Sequence, residues 1–231
     1  LIFPTEDMTP ILSGNYIMKV YEDDPDSIYF TRRFFVEESK VTISGNIKQA
    51  SMIEDRNYKQ EVDFNVNTRG YNIPNAYQDL RVIILQNGRW DNRIDGLKPK
   101  VIIGDKLDYD YDRENVFQGG NEFKAIDIKS LKYNTENIAS IKSDDENYYV
   151  YLREEQRRSF KVYKTEKDIN GQMIIKTEDG FTSETEAEYV QVYFFMPYAA
   201  PMIDGDFFIM GQLTDWRYSD ESKMTYNFTR K

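Results

Sequence analysis

The sequence contains no cysteine and no histidine among its 231 residues. The absence of thiols excludes disulfides and thiolate metal sites, and the absence of imidazole removes the commonest general base near neutral pH. Every Ser–His or Cys–His catalytic arrangement is excluded as well. An enzyme of this composition would have to use carboxylates, lysine or tyrosine alone, and no spacing indicates such a site. We therefore expect a protein that is not an enzyme and that uses no cofactor.

The chain also lacks a long apolar run and an excess of basic residues. No apolar stretch approaches the roughly 18–20 residues of a membrane-spanning helix, and no signal peptide begins the sequence. We expect a mature chain or a part of a longer one, without direct membrane insertion. The net charge is −10. Because phosphate neutralisation needs a basic surface, nucleic acid is not an expected partner.

Aromatic and β-branched residues are abundant, and they favour strands over helices. Aromatic residues make up 15% of the sequence, and 18 of its residues are tyrosines. Short alternating segments recur between turn residues, and no long segment has the 3.6-residue period of an amphipathic helix. These patterns predict an all-β protein built from tandem immunoglobulin-like or early-set β-sandwich domains.

Three divisions of the chain are predicted. Residues 1–39 are expected to form the C-terminal hairpin of a truncated first β domain, since a lone hairpin is only marginally stable. Residues 40–163 are expected to form a central β-sandwich. Residues 164–231 are expected to form a hairpin with a tight turn at Asn170–Gly171, followed by a partial early-set-like sandwich. The predicted strands are 15–22, 28–38, 40–48, 60–67, 79–87, 99–111, 122–129, 147–154, 189–198, 205–216 and 224–231, while 137–147 is a loop or a short strand.

Acidic residues alternate with apolar ones from Leu107 to Phe117, which makes this segment the best candidate for a metal site. Calcium binds several carboxylate oxygens at once, and these acids could supply them. The four candidate ligands are Asp108, Asp110, Asp112 and Glu114.

The same segment departs from the known calcium loop. An EF-hand would need glycine where Arg113 stands and glutamate where Gly119 stands. On a strand, the period of two would place the four acids on one face and Leu107, Tyr109 and Tyr111 on the other. We interpret the segment as a solvated acidic face whose aromatic residues pack inward, and calcium binding is the alternative.

The segment Gln86–Asn92 (QNGRWDN) combines a turn signal at Asn87–Gly88 with residues typical of binding surfaces. Tryptophan and arginine are over-represented at interface hot spots, so Arg89, Trp90 and Asn92 are candidate partner-binding residues. The alternative, which we favour, is a turn at the end of a strand, in which the tryptophan covers the core and the arginine pairs with a nearby acid.

Two further motifs lead to other function classes. Gly119–Glu122 lacks the full GxGxxG pattern and a following helix, so phosphate binding is not expected. Gly211–Trp216 (GQLTDW) is similar to a phrase in early-set domains, including some that bind starch or glycogen. Trp216 is therefore a further candidate for partner binding or sugar stacking, although such a residue can also pack beneath its loop. A carbohydrate-binding module is the alternative function, and a hydrolase would need two facing acids in a cleft.

Several phrases of this sequence resemble the plug proteins of the bacterial type IX secretion system, a family from Bacteroidota. They include QNGRWDN, the YDY…EN-F-GGNEF phrase and the DI-SL phrase, and they occur in the expected order. The matching segments are Leu12–Tyr16, Thr31–Val36, Gln86–Asn92, Tyr109–Phe123, Asp127–Leu131, Asp168–Gly171 and Gly211–Trp216.

The resemblance implies a truncated member of a family that is exported to the periplasm and associated with the outer membrane. It also implies that the protein occupies the periplasmic mouth of the outer-membrane β-barrel translocon when no substrate is passing. It implies no catalytic residue. We therefore expect a non-enzymatic component of the secretion machinery, whose partner is the translocon barrel. The alternative partner is a glycan.

Overall fold

The computed structural model describes residues 2–156, 162–163, 165, 167–180 and 182–229. Twelve short strands dominate these residues, and helix is limited to single turns, none of them long and apolar enough to cross a membrane. The predicted all-β class is confirmed, while the immunoglobulin-like or early-set subtype stays a prediction. The helical turns are Glu6–Met8, Ala76–Asp79, Ser183–Glu186 and Gln212–Thr214. The strands are β1 (Gly14–Tyr21), β2 (Ile28–Val36), β3 (Thr42–Gln49), β4 (Lys59–Asn67), β5 (Ile83–Ile84), β6 (Ile94–Asp95), β7 (Val101–Ile103), β8 (Lys106–Tyr109), β9 (Val116–Gln118), β10 (Ile138–Ser143), β11 (Tyr148–Leu152) and β12 (Val190–Tyr193).

The chain forms two compact units, and each unit is built from two segments that are not consecutive in the sequence. The first unit comprises Leu1–Ile83 and Ile94–Gln118, and the second comprises Ile84–Arg93 and Gly119–Lys231. The segment Ile84–Arg93, which includes the whole QNGRWDN phrase, therefore belongs to the second unit although first-unit residues flank it in the sequence. The three divisions expected from the sequence stay predictions.

The first unit begins with the predicted hairpin of β1 and β2. The two strands pair in antiparallel register from Gly14 opposite Val36 to Tyr21 opposite Ile28. The rings of Tyr16 and Phe34 stack across the strands with 5.3 Å between their centroids.

A five-stranded sheet completes the first unit, in the order β3-β4-β8-β7 with β9 also beside β4. The predicted strand 99–111 is divided between β7 and β8, which pair in antiparallel fashion on either side of a turn. Alternate residues of β4 and β8 are buried on one face, where Phe64 stacks on Tyr109 with 4.5 Å between the ring centroids. The buried residues of this face are Phe64, Val66, Leu107 and Tyr109.

Strands β8 and β9 lie end to end along β4. β8 pairs with residues 64–67 of β4, whereas β9 pairs with residues 59–61. The residues between the two strands, Asp110–Asn115, form a loop that leaves the sheet. The edge beside β4 is therefore one interrupted strand, and the loop departs at the position of Val62 and Asp63.

The second unit contains a three-stranded sheet. β11 pairs with β10 in antiparallel fashion and with β12 in parallel fashion. Segment 137–147 therefore contains a strand. Ile138, Val150 and Leu152 are the most buried apolar residues of this core. The residues packed against them are Ile126, Ile128, Leu131, Ile141, Val190, Val192 and Phe194.

Several predicted strands are absent from the described residues. Of the strand predicted for 79–87, only the two residues of β5 are present. In place of the strands predicted for 205–229, there is an isolated bridge between Phe208 and Lys223 and the helical turn Gln212–Thr214. Of the predicted hairpin 161–180, the turn at Asn170–Gly171 is present, but its described residues form no strand, and residues 161, 164 and 166 lie outside the description. Residues 230–231 of the last predicted strand also lie outside it.

Segment 122–129 was predicted as a strand but is irregular, because side chains take the place of a neighbouring strand. The side-chain amide of Asn137 donates to the carbonyl oxygen of Ala125 at 2.7 Å. The hydroxyl of Thr135 donates to the carbonyl oxygen of Asp127, also at 2.7 Å. These bonds satisfy backbone groups that a ladder would otherwise satisfy.

Candidate functional site

Four of the sequence phrases meet at Trp216 in the second unit. The guanidinium carbon of Arg89 lies 4.2 Å from the centroid of the Trp216 ring, which is cation–π geometry. Phe123 meets the same tryptophan edge-on, with 5.6 Å between centroids and 85° between the ring planes. Gly171 packs against both rings. We call these four residues the Trp216 cluster.

Left-handed backbone turns position the cluster. Asn170 and Gly171 have φ values of 54° and 70°, and Asp215 and Trp216 have φ values of 50° and 58°. A Cβ atom on Gly171 would lie 2.6 Å from Cη2 of Trp216 and 2.8 Å from a ring carbon of Phe123. Glycine is therefore required at this position, both for its positive φ and for the close approach of the two rings.

Hydrogen bonds join the same phrases. The amide of Gln212 donates to the carbonyl oxygen of Gly171 at 2.8 Å, and its side-chain oxygen accepts from the amide of Met173 at 2.7 Å. The side chain of Gln172 donates to the carbonyl oxygen of Asn87 at 3.3 Å. A carboxylate oxygen of Asp168 accepts from the amide of Phe123 at 2.5 Å. Four of the phrases that carry the family resemblance thus pack together in the second unit.

The candidate partner-binding residues Arg89, Trp90 and Asn92 form hydrogen bonds with residues within or next to their own phrase. Arg89 forms a two-bonded ion pair with Asp91, with Nε–Oδ1 and Nη2–Oδ2 distances of 3.1 and 2.6 Å, and its side chain is only 17% exposed. This contact holds the pKa of Asp91 below its usual range. The carbonyl oxygen of Trp90 accepts from Arg93 at 3.1 Å, and the side chain of Asn92 donates to Gln86 at 2.8 Å.

The structure therefore brings Arg89 and Trp216 into contact and leaves Trp90 and Asn92 in local contacts of their own loop. Arg89 pairs with a nearby acid, as the alternative interpretation of QNGRWDN expected. The partner-binding role of Arg89, Trp90, Asn92 and Trp216 stays a prediction.

The four calcium candidates do not converge on one another. β8 ends at Tyr109, so Asp112 and Glu114 lie beyond the strand in a turn rather than on its acidic face. Asp110 instead joins two acids of β4, and carboxylate oxygens of Glu61, Asp63 and Asp110 lie within 4.8 Å of one another. Sequence reasoning missed Glu61 and Asp63, because only the pairing of β4 with its neighbours brings them near Asp110.

Lys48 already supplies a cation to two of these acids. Its ammonium lies 3.1 Å from Glu61 Oε1 and 2.5 Å from Asp63 Oδ2, and these bonds raise its pKa. Glu61 is fully buried and also accepts from the amide and hydroxyl of Ser51 at 2.6 and 3.0 Å. A buried carboxylate needs such partners, and the set therefore forms a satisfied structural network.

Asn115 closes the gap between β8 and β9. Its carbonyl oxygen accepts from the amide of Val62 at 3.0 Å, and its side-chain amide donates to the carbonyl oxygen of Val62 at 2.8 Å. The same side-chain amide donates to Asp63 at 3.1 Å. The side chain of Asn115 thus replaces the backbone N–H of a paired strand residue, which accounts for the asparagine in the EN-F phrase.

The outer face of the second unit's sheet carries a row of aromatic residues that the sequence analysis did not single out. Tyr151 and Tyr193 stack across β11 and β12 with 4.9 Å between centroids and 9° between planes. Tyr149 and Phe195 extend the row, at 6.5 Å from Tyr193 and 6.4 Å from Tyr151, respectively. We call Tyr149, Tyr151, Tyr193 and Phe195 the tyrosine row.

The rings of the tyrosine row cover one another's faces. Tyr151 has Tyr193 on one side and the ammonium of Lys142 on the other, 5.1 Å from its ring centroid, because β10 and β12 flank β11. The hydroxyl of Tyr149 donates to Asp144 at 2.7 Å, which raises the pKa of Tyr149 and lowers that of Asp144. The hydroxyl of Tyr193 donates to the side-chain oxygen of Gln191 at 3.2 Å, so two hydroxyls of the row already have acceptors within the chain.

A small apolar cavity also lies in the second unit. It has a volume of about 190 Å³ and is lined mainly by aromatic and aliphatic side chains, among them Leu152, Phe194 and Phe207. Its carboxylate, Glu155, pairs with Lys124. This lining does not place two facing acids in the cavity.

Comparison with protein families finds a match at the N-terminus. Residues 1–38 match the family model of the type 9 secretion system plug protein, first domain. The resemblance of the sequence to the plug family is thereby confirmed over these residues. The match covers the hairpin of β1 and β2, and it connects the chain with type IX secretion.

A crystal structure of a hypothetical protein from Parabacteroides merdae has the same fold. Its TM-score is 0.87, its sequence identity to this chain is 33%, and the alignment covers 99% of this chain and 58% of that chain. The chain thus spans less than two thirds of the length of that protein. No curated protein matches the chain.

Proposed function

We propose that this chain is a non-enzymatic, periplasmic component of the type IX protein secretion machinery. It binds the periplasmic side of the outer-membrane translocon and occludes it. The observation that carries the proposal is the match of residues 1–38 to the plug family. The composition supports it, since a chain without histidine or cysteine has few routes to catalysis.

The proposed mechanism is steric occlusion. A protein that blocks an opening needs a stable shape and a few strong anchor contacts, rather than reactive groups. Binding energy at protein interfaces concentrates on a few Trp, Tyr and Arg side chains, and this chain has 18 tyrosines and 2 tryptophans. Side chains that replace strand pairing, such as Asn115, help hold the irregular β-structure in one conformation.

A binding measurement with purified components tests the proposal. The chain is immobilised, and the purified type IX translocon barrel is passed over it in a mild detergent. We expect saturable binding, and the control is an outer-membrane porin of similar size, to which no binding is expected. Failure of the chain to bind the translocon, or equal binding of the porin, would contradict the proposal.

The second candidate is a carbohydrate-binding module of a periplasmic or surface glycan system. The aromatic row on one sheet face favours it, because such modules stack sugars on aromatic rings. Of the row, Tyr193 is exposed and the other three rings are half-buried. The ring geometry argues against it, since the faces of Tyr151 are taken by Tyr193 and Lys142, and one face of Trp216 is covered by Arg89.

A glycan array separates the two candidates. Binding to a defined glycan that is lost in a folded Trp216→Ala or Tyr193→Ala variant would favour the carbohydrate module. Absence of glycan binding together with translocon binding is the result that we expect.

A further inference from the structure

The outer face of the second unit's sheet carries aromatic side chains where a solvated face would carry polar ones. Successive residues of β11 and β12 alternate between the core and this face. Val150 and Leu152 are buried in the core, whereas Tyr149 and Tyr151 lie on the opposite face. Tyr193 is 38% exposed, and Tyr149, Tyr151 and Phe195 are half-buried. Apolar rings gathered on one exposed face typically mark an interaction site.

The edges of these rings define the chemistry that the surface can recognise. Because neighbouring rings cover one another's faces, a pyranose ring cannot lie flat on Tyr151. Ring edges carry partial positive charge. The hydroxyls of Tyr149 and Tyr193 already donate to Asp144 and Gln191, which leaves the hydroxyl of Tyr151 to donate to a partner. Such a surface fits carbonyl and carboxylate oxygens of a polypeptide.

Lys142 adds a positive charge to the same face. It is exposed, its ammonium lies over Tyr151, and it forms no ion pair with a carboxylate among the described residues. Asp144, the acid nearest to Lys142 in the sequence, already accepts hydrogen bonds from Tyr149 and from the amides of Glu146 and Asn147. An exposed cation within an aromatic surface is complementary to a partner's carboxylate.

We propose that the tyrosine row and Lys142 form a docking surface for a carboxylate-bearing loop of a protein partner. The inference rests on the proposed function, under which the loop belongs to the periplasmic side of the translocon barrel. Tyr151 and Tyr193 supply the apolar contact, and Lys142 pairs with the carboxylate. Because the chain as a whole has a net charge of −10, Lys142 fixes the position of an acidic loop rather than steering it from a distance.

Charge reversal at Lys142 is the first test, since this exposed side chain is not part of the core. Binding of the Lys142→Glu variant to the purified translocon barrel is measured beside Lys106→Glu, an exposed lysine on the first unit. We expect a loss of at least tenfold in affinity for Lys142→Glu, and no more than twofold for Lys106→Glu. The loss should shrink as sodium chloride is raised, because salt screens the exposed ion pair.

Ring removal is the second test. We expect Tyr193→Ser to weaken binding by about 30-fold, as a hot-spot truncation does, whereas Tyr193→Phe retains the ring and most of the affinity. The control is Tyr58→Ser, at a tyrosine that is 68% exposed in the first unit. Circular dichroism establishes that each variant keeps its β-structure.

The outcomes separate the inference from the function on which it rests. If the unaltered chain binds the translocon and the Lys142 and Tyr193 variants bind equally well, the docking surface is wrong and the proposed function stands. If the unaltered chain does not bind the translocon, both are overturned. Selective loss in Lys142→Glu and Tyr193→Ser, with both controls unaffected, supports both.

Discussion

The Trp216 cluster and the tyrosine row are both aromatic groups of the second unit with a basic side chain over a ring, but they use that cation differently. Arg89 covers Trp216, is 17% exposed and is bound in two places by Asp91. Lys142 covers Tyr151, is exposed and has no carboxylate partner among the described residues. Of these two cation–π pairs, the one whose cation also has a carboxylate partner is packed within its unit. The pair whose cation has no carboxylate partner among the described residues lies on the surface.

The largest expected effect is at Gly171, and it tests whether the Trp216 cluster stabilises the fold. We expect Gly171→Ala to lower the free energy of unfolding by about 3 kcal/mol, from the strained positive φ and from the clash with two rings. Both tryptophans, Trp90 and Trp216, lie in the second unit, so denaturant unfolding followed by tryptophan fluorescence reports on it.

Gly88→Ala is the matched control, because Gly88 also has a positive φ of 76° but nothing within 4 Å of its Cβ position. It should cost about 1 kcal/mol, from backbone strain alone. An equal cost at the two glycines would mean that close packing does not hold the Trp216 cluster together.

A pair of truncations gives the next largest effect and separates scaffold from surface. Trp216→Ala should lower the free energy of unfolding by about 2–3 kcal/mol, since it removes a half-buried ring that contacts Arg89 and Phe123. Tyr193→Ala should lower it by less than about 1 kcal/mol, because the ring is exposed on the outer face. Urea unfolding of both variants measures the difference, and a larger loss at Tyr193 would reverse the assignment.

The smallest expected effect concerns Asp91, the acid that forms an ion pair with Arg89. The folded-state pKa of Asp91 is lowered, chiefly by its bonds to Arg89, so its contribution to stability is fully present above its ordinary pKa of 3.8. That contribution is lost as the pH falls through the lower folded-state value. The second unit should therefore lose stability between about pH 4 and pH 2 less steeply in Asp91→Asn than in the unaltered chain.

Unfolding midpoints measured across that range test this expectation. Identical pH profiles would show that Asp91 does not hold Arg89 in place. Substitution of the exposed Asp220, which lies outside the Trp216 cluster, provides the control and should leave the profile unchanged.

Local patterns predicted the parts of this fold that depend on near neighbours. Alternation and a turn gave the hairpin of β1 and β2, and the Asn-Gly pairs gave left-handed turns at residues 87–88 and 170–171. The strand predicted for segment 122–129 is absent because the side chains of Asn137 and Thr135 donate hydrogen bonds to its backbone carbonyl groups. Such bonds leave no periodic signal in the segment itself.

The candidate sites depended on pairings that no local pattern contains. Glu61 and Asp110 approach each other only because a loop leaves the sheet between β8 and β9. The tyrosine row forms only because β12 pairs in parallel fashion with β11, although about 40 residues separate Tyr151 from Tyr193 in the chain. Alternating tyrosines in both segments were the available signal, but alternation does not reveal which strands become neighbours.

The side chain of Asn115 has a consequence for how this protein tolerates changes in length. Because it restores the hydrogen bonding of Val62 immediately before β9, the residues from Asp110 to Glu114 are not needed to keep the two halves of the edge strand in register. Insertions or deletions within that loop should leave the pairing of β4 intact. The loop is therefore a natural place for related proteins to diverge in length, and a practical position for inserting an epitope tag.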